Sequence, residues 1–193
     1  MTNRFIAGIP PITLTLIVLA MVITAFAPEP STLFDRLVLD REQPRVWPWL
    51  TAHWLHTDNA HLLWNLVAFG CLGWLGERDG RVRFFVSIAV GIIAVDIWFA
   101  WVDVTLRFYC GLSGALNTVL LVTLYGLRRE IAVSWLLAVA ALVALKLGVE
   151  WHTGVALLTH TRWRPAVGAH IAGFVGGLIL VATYAWSDRS RGV

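Results

Sequence analysis

Charged residues are scarce. Asp, Glu, Lys and Arg make up 14% of the 193 residues, 58% are hydrophobic, and mean hydropathy is +0.72. A soluble domain of this size could not hide so much apolar surface, so a polytopic membrane protein is expected. Cysteine is nearly lacking: Cys71 falls inside an apolar run and Cys110 just before another, which argues against a disulfide framework. There is no repeat of fixed period and no low-complexity stretch. Little is left over for loops, so residues 1–193 read as a single domain with no soluble appendage. The net charge of +3 and the pI near 9.3 fit arginines facing anionic lipid, and nothing points to nucleic acid.

What is present is a succession of apolar runs. A span needs about 20 largely apolar residues, and six runs qualify, near Pro10–Ala27, His61–Gly76, Phe84–Trp101, Gly111–Leu127, Ile131–Val149 and Gly168–Trp186. The first, with Arg4 before it and Ala25-Phe26-Ala27 after, imitates a signal peptide. It is nevertheless expected to stay and complete a compact bundle. With Arg4 inside, the inner ends hold Arg4, Arg78, Arg81, Arg83, Arg128, Arg129, Arg189 and Arg191. The outer side holds Arg36, Arg41, Arg45, Arg107, Arg162 and Arg164, and Lys146 lies within a span. This modest bias puts both termini in the cytosol and the starts of spans two, four and six outside. The first loop, about residues 28–60, carries Pro28, Pro30, Pro44 and Pro48 with Trp47, Trp49 and Trp54. A loop so long in so short a chain points to a role, here at the membrane interface, where most of the 11 tryptophans are read as anchors.

Two of these spans begin with reactive side chains. Gly111-Leu112-Ser113-Gly114 opens span four, and Gly168-Ala169-His170-Ile171-Ala172-Gly173 opens span six. Helices two crossings apart run in the same direction, so Ser113 and His170 lie at similar depth. The glycines permit an exposed backbone at a helix N-terminus, where free N–H groups stabilise a developing oxyanion. Positions 170, 173 and 177 share a face whose small residues let a neighbouring helix approach. Ser113 is thereby a candidate nucleophile and His170 its general base. A GxSG tetrapeptide alone is equally at home where membrane helices pack, so the weight rests on the pairing. His61 and Asn65, four apart at the start of span two, are candidate oxyanion donors; polar helix packing is the alternative for either one.

Asp96, within span three, and Asp103, near its outer end, read as structural, and no aspartate is placed to complete a triad. A Ser–His dyad is the economical reading. Lys146 and Glu150, four apart near the outer end of span five, read as an internal ion pair; substrate recognition is the alternative. His53, His56 and His61 lack metal-site spacing and a companion carboxylate or thiolate set, so neither a metal nor any other cofactor is expected.

These residues give the chain its resemblance. Val46-Trp47, Leu50-Thr51, His56, His61-Leu62-Leu63-Trp64-Asn65, Gly76-Glu77, Gly111-Leu112-Ser113-Gly114 and Gly168–Gly173 occur in the order found in rhomboid intramembrane serine proteases. The resemblance implies an all-α, six-transmembrane-helix bundle. It also implies Ser113 as nucleophile, His170 as base, and His61, Asn65 and the Ser113 N–H as oxyanion donors, with Gly111, Leu112, Gly114, Asn117 and Gly173 in support. Short length, Tyr109-Cys110-Gly111-Leu112-Ser113-Gly114-Ala115-Leu116 and Lys146-Leu147-Gly148-Val149-Glu150-Trp151 look most like the rhombosortase subfamily. Those bacterial enzymes are associated with exported proteins bearing a C-terminal Gly-Gly motif, a hydrophobic helix and a basic tail. The partners so implied are membrane-anchored protein substrates and the lipid bilayer of the bacterial inner membrane, with the active site on the periplasmic side. Two departures stand out. Trp47-Pro48 replaces the Trp-Arg of many rhomboids. Asn117 replaces an aromatic residue that stacks on the imidazole, and is expected to hold His170 by a hydrogen bond instead.

Three rivals are set against this reading. A non-catalytic rhomboid-like binder of membrane helices typically lacks the serine or histidine, and both are present. A transporter would string ionisable residues along a path, whereas here they gather at one end and only Asp96 stands apart. An ordinary rhomboid with other single-span substrates differs in substrate choice alone.

Overall fold

In the computed structural model, residues 10–157 and 162–191 are described. Arg4 lies outside them. The described residues are all-α apart from one two-residue antiparallel pairing. Six longer helices correspond to the six expected spans: α1 (Pro11–Phe26), α4 (Asn59–Asp79), α5 (Arg81–Ile97), α6 (Ser113–Leu127), α7 (Val133–Thr153) and α8 (Val167–Ser190). With its continuing π-helical turn (Trp98–Val102), α5 is long and apolar enough to cross a bilayer, and so are α7 and α8. α1 and α6 are apolar but shorter. At 15 residues α6 is about 23 Å long against a hydrocarbon core of about 30 Å. It tolerates the difference because most of its residues are buried against α4, α5 and α8 rather than in lipid.

The first loop is folded rather than merely long. It contains α2 (Thr32–Leu37), β1 (Leu39–Asp40), α3 (Pro48–Thr51) and a 3₁₀ turn (Ala52–Trp54). β1 pairs with β2 (Phe108–Tyr109), Leu39 opposite Tyr109, which ties this loop to the segment leading into α6. Arg41 holds a second tie: its guanidinium donates to the carbonyls of Phe99 and Ala100, acceptors that the end of a helix leaves free, and to those of Asp103 and Leu106 just beyond it. Phe34, Val38, Leu39, Leu55, Val95, Trp98, Phe99 and Tyr109 form one apolar cluster under this loop. A second, with Trp54, Phe69, Phe84, Ile88, Ile92, Leu112 and Val119, lies among the helices. Trp54 and Trp98 are therefore core residues, whereas Trp47, Trp64, Trp74, Trp101, Trp135, Trp151 and Trp186 are exposed.

α1 packs on α4. Its first turn has no side-chain cap of its own. The buried Glu77 carboxylate near the end of α4 supplies one, accepting from the Ile12 and Thr13 N–H groups and the Thr13 hydroxyl. A carboxylate at a helix N-terminus meets both the unpaired N–H groups and the positive end of the dipole. α7 is the most peripheral helix: only Leu136, Leu147 and Glu150 are buried, and Leu137, Leu142, Leu145 and Trp151 face outward.

Candidate active site

α6 starts where the chain turns sharply. Gly111 has φ +110°, a conformation natural to glycine, and its backbone is held from both sides: its N–H donates to the Ala52 carbonyl at 2.9 Å and its carbonyl accepts from Tyr109 Oη at 2.8 Å. The His61 ring packs where a Gly111 side chain would lie. Leu112 is buried in the second cluster, and Ser113 follows as the first residue of α6. No side chain caps this helix start, so the first turn presents N–H groups without an intrahelical acceptor beside the serine.

α8 meets α6 along small residues. A Cβ on Gly173 would collide with the Gly114 carbonyl, and one on Gly114 would meet Val95, the Ala169 carbonyl and Tyr109 Oη. Thr118 Oγ1 closes the seam by donating to the Gly173 carbonyl at 2.5 Å. This close approach sets Ser113 Oγ 2.8 Å from His170 Nε2, a hydrogen bond between residues 57 apart in the chain. The parity of the spans anticipated the shared depth of the two residues; the small-residue seam delivers the contact.

Both side chains line a cavity of about 830 Å³, together with His61, Trp64, Asn65, Ala68 and Cys71 of α4, Asn117 and Leu120 of α6, Val143 and Lys146 of α7, and Trp163 and Arg164. His61 Nδ1 is 3.3 Å from Thr57 Oγ1, and its N–H donates to Asp58 Oδ1, the N-cap of α4. The Thr57 hydroxyl donates its one proton to Asp58 Oδ2 at 3.0 Å, so it accepts from His61, whose ring proton sits on Nδ1. Asn65 uses one amide N–H on the His61 carbonyl, at 2.9 Å, and has a second left.

Two expectations change here. Asn117 does not hold His170: its amide donates to the Ser113 carbonyl one turn back, at 2.9 Å. A short amide side chain inside a helix reaches its own i−4 carbonyl more readily than a neighbouring helix. What lies beside the other imidazole nitrogen is a carboxylate that the sequence pairs with Lys146 and does not assign to the imidazole. Glu150 Oε2 is 3.9 Å from His170 Nδ1, while Lys146 Nζ pairs with Oε1 of the same residue at 2.7 Å. The Lys146–Glu150 ion pair therefore forms, and it borders the Ser113–His170 pair. The signal was available: Glu150 is an ionisable residue at the end of span five predicted to share the depth of His170.

The other polar residues have separate partners. His53 Nε2 bonds Asp96 Oδ1 at 3.0 Å, which accounts for the aspartate that stood apart. His56 Nδ1 is 3.3 Å from Thr24 Oγ1, and its ring packs edge-on against that of His61. Asp103 Oδ1 accepts from Thr105 and Leu106 within its own turn. Among the described residues no three His, Cys, Asp or Glu side chains converge as a metal site, and Cys71 and Cys110 are both free.

No curated protein matches the chain. The rhomboid domain family model matches residues 43–187, from the folded first loop through nearly all of α8. A multi-pass helical bundle that matches this model over most of its length belongs to the rhomboid family, whose members are generally intramembrane serine proteases.

Proposed function

We propose that this protein is an intramembrane serine endopeptidase using Ser113 and His170. The observation that carries the reading is the 2.8 Å hydrogen bond between Ser113 Oγ and His170 Nε2 on the wall of an 830 Å³ cavity. Ser113 Oγ attacks the scissile carbonyl carbon as His170 Nε2 takes its proton. The oxyanion is met by N–H groups of the first turn of α6 and by the free N–H of Asn65, whereas His61, with its ring proton on Nδ1, has no Nε2–H to give. The C–N bond then breaks, His170 returns the proton to the leaving amine, and water releases the acyl group by the same route. In this reading the whole chain acts as one rhomboid-like unit in a bacterial inner membrane, with both termini cytoplasmic and the cavity reached from the periplasmic side.

The proposed substrates are rhombosortase-like: exported proteins ending in Gly-Gly, a hydrophobic helix and a basic tail. Glycines at the cleavage site favour local unwinding, which a peptide needs before it can extend into the site. The test is cleavage by purified protein of tagged single-span substrates with and without such tails, beside Ser113→Ala and His170→Ala. Loss of cleavage in both variants, with melting unchanged, is the expected result, and cleavage surviving either substitution overturns the mechanism. Cleavage of other single-span substrates alone assigns an ordinary rhomboid. Binding of substrate without cleavage by any form, and no labelling of Ser113 by a fluorophosphonate, assigns a binder.

A further inference from the structure

α7 turns apolar side chains outward along most of its length and buries only three residues, one of which is charged. Glu150 is 1% exposed. Its Oε1 is fully engaged, taking Lys146 Nζ at 2.7 Å and the Leu157 N–H at 2.9 Å. Its Oε2 is buried with no hydrogen-bond partner among the described residues. Holding a carboxylate oxygen out of water without a donor is costly, so such an oxygen calls for a partner that arrives in another state. The group in front of it is His170 Nδ1, 3.9 Å away and beyond hydrogen-bond length. A closer approach of about 1 Å makes the bond.

We infer that Glu150 is a positioning residue for His170, completing a Ser113–His170–Glu150 relay in which Oε2 accepts from Nδ1–H when the site engages substrate. The inference rests on the protease reading above. Its chemistry is simple. A proton held on Nδ1 leaves Nε2 with the lone pair that must take the Ser113 proton. When Nε2 gains that proton, the facing carboxylate stabilises the imidazolium. Lys146, on the same carboxylate, offsets part of its charge and opposes the imidazolium. Among the described residues, the other ionisable groups lining the cavity are His61 and Cys71 of α4, Arg107, Tyr109, Cys110 and Arg164; none of them is a carboxylate.

The test uses the full chain in detergent or bilayer nanodiscs. It reads the rate at which a fluorophosphonate labels Ser113, and the kcat and KM for a substrate from the panel, across pH. Glu150→Gln is expected to lower kcat at least about tenfold with little change in KM, and to move the acid limb of the profile to lower pH. Glu150→Asp recovers part of kcat. Lys146→Met removes the opposing charge and moves the acid limb to higher pH. Loss of a merely structural ion pair would move both substitutions the same way, so equal effects overturn the inference. An unchanged Glu150→Gln profile overturns it while leaving the protease reading intact. If Glu150→Gln does not fold, the Lys146→Met shift decides: upward supports the relay, and none overturns it. Absence of Ser113-dependent labelling and cleavage in the unsubstituted protein overturns the protease reading first, and the relay with it.

Discussion

Gly173 faces the Gly114 carbonyl so closely that no side chain fits between them. This contact is the pivot of the site, because each glycine stands close in the chain to one member of the Ser113–His170 pair. Gly173→Ala is expected to force the two helices apart or bend one of them, costing about 1–3 kcal/mol of stability as overpacking does. It also lengthens the 2.8 Å bond between Ser113 and His170. Thermal melting in detergent together with fluorophosphonate labelling reads both effects. Unchanged melting and labelling would show that the seam yields without disturbing the pair.

Asn117 gives a sharper division between two roles. Its amide bonds the Ser113 carbonyl, a local contact worth about 0.5–1.5 kcal/mol. Asn117→Ala is therefore expected to lower stability slightly and leave most cleavage intact. A residue that held the imidazole in place would cost about 10²- to 10⁴-fold in kcat. A loss of that size on Asn117→Ala would restore the role expected from the sequence.

Glu77 joins the start of α1 to the end of α4. Glu77→Ala leaves two backbone N–H groups and the Thr13 hydroxyl without their acceptor, at about 1–3 kcal/mol for each group left unsatisfied in a buried site. Glu77→Gln keeps one acceptor oxygen and is expected to lose less. Melting temperatures in the order unsubstituted, Gln, Ala check this, and a Gln variant as unstable as Ala would show that the charge matters more than the hydrogen bonds.

His56 sets an acid limit on the folded loop. Burial, aided by the neighbouring His61, pushes its pKa down from 6.5 to about 3. Between those two values the unfolded chain binds a proton that the folded protein refuses, so stability falls as pH falls through this window. The contribution is on the order of a few kcal/mol when the window has been crossed. Melting followed from neutral to acid pH should fall less steeply for His56→Gln than for the unsubstituted protein. Parallel curves would place the acid sensitivity elsewhere.

Much of this was legible in the chain. All six apolar runs are helices, because an apolar segment in lipid must satisfy its backbone N–H and C=O groups within itself. Parity placed Ser113, His170, His61 and Asn65 at one end of the bundle without any knowledge of packing. The long first loop was recognised as purposeful, but its folding onto Phe99, Asp103 and Leu106 through Arg41 was not, since those partners lie about 60 residues away and no local pattern links them.

What the sequence determined by itself was the number of the helices and which residue types gather at one end of the bundle. The tertiary structure decided how each helix is rotated about its axis. In lipid a helix is apolar on the faces that meet neighbours and on those that meet acyl chains, so hydrophobic periodicity carries little information about rotation. For that reason Ser113 and His170 could be placed at one depth from the chain alone. That Glu150 turns inward to His170 Nδ1 while Asn117 turns back on its own helix followed only from the packing.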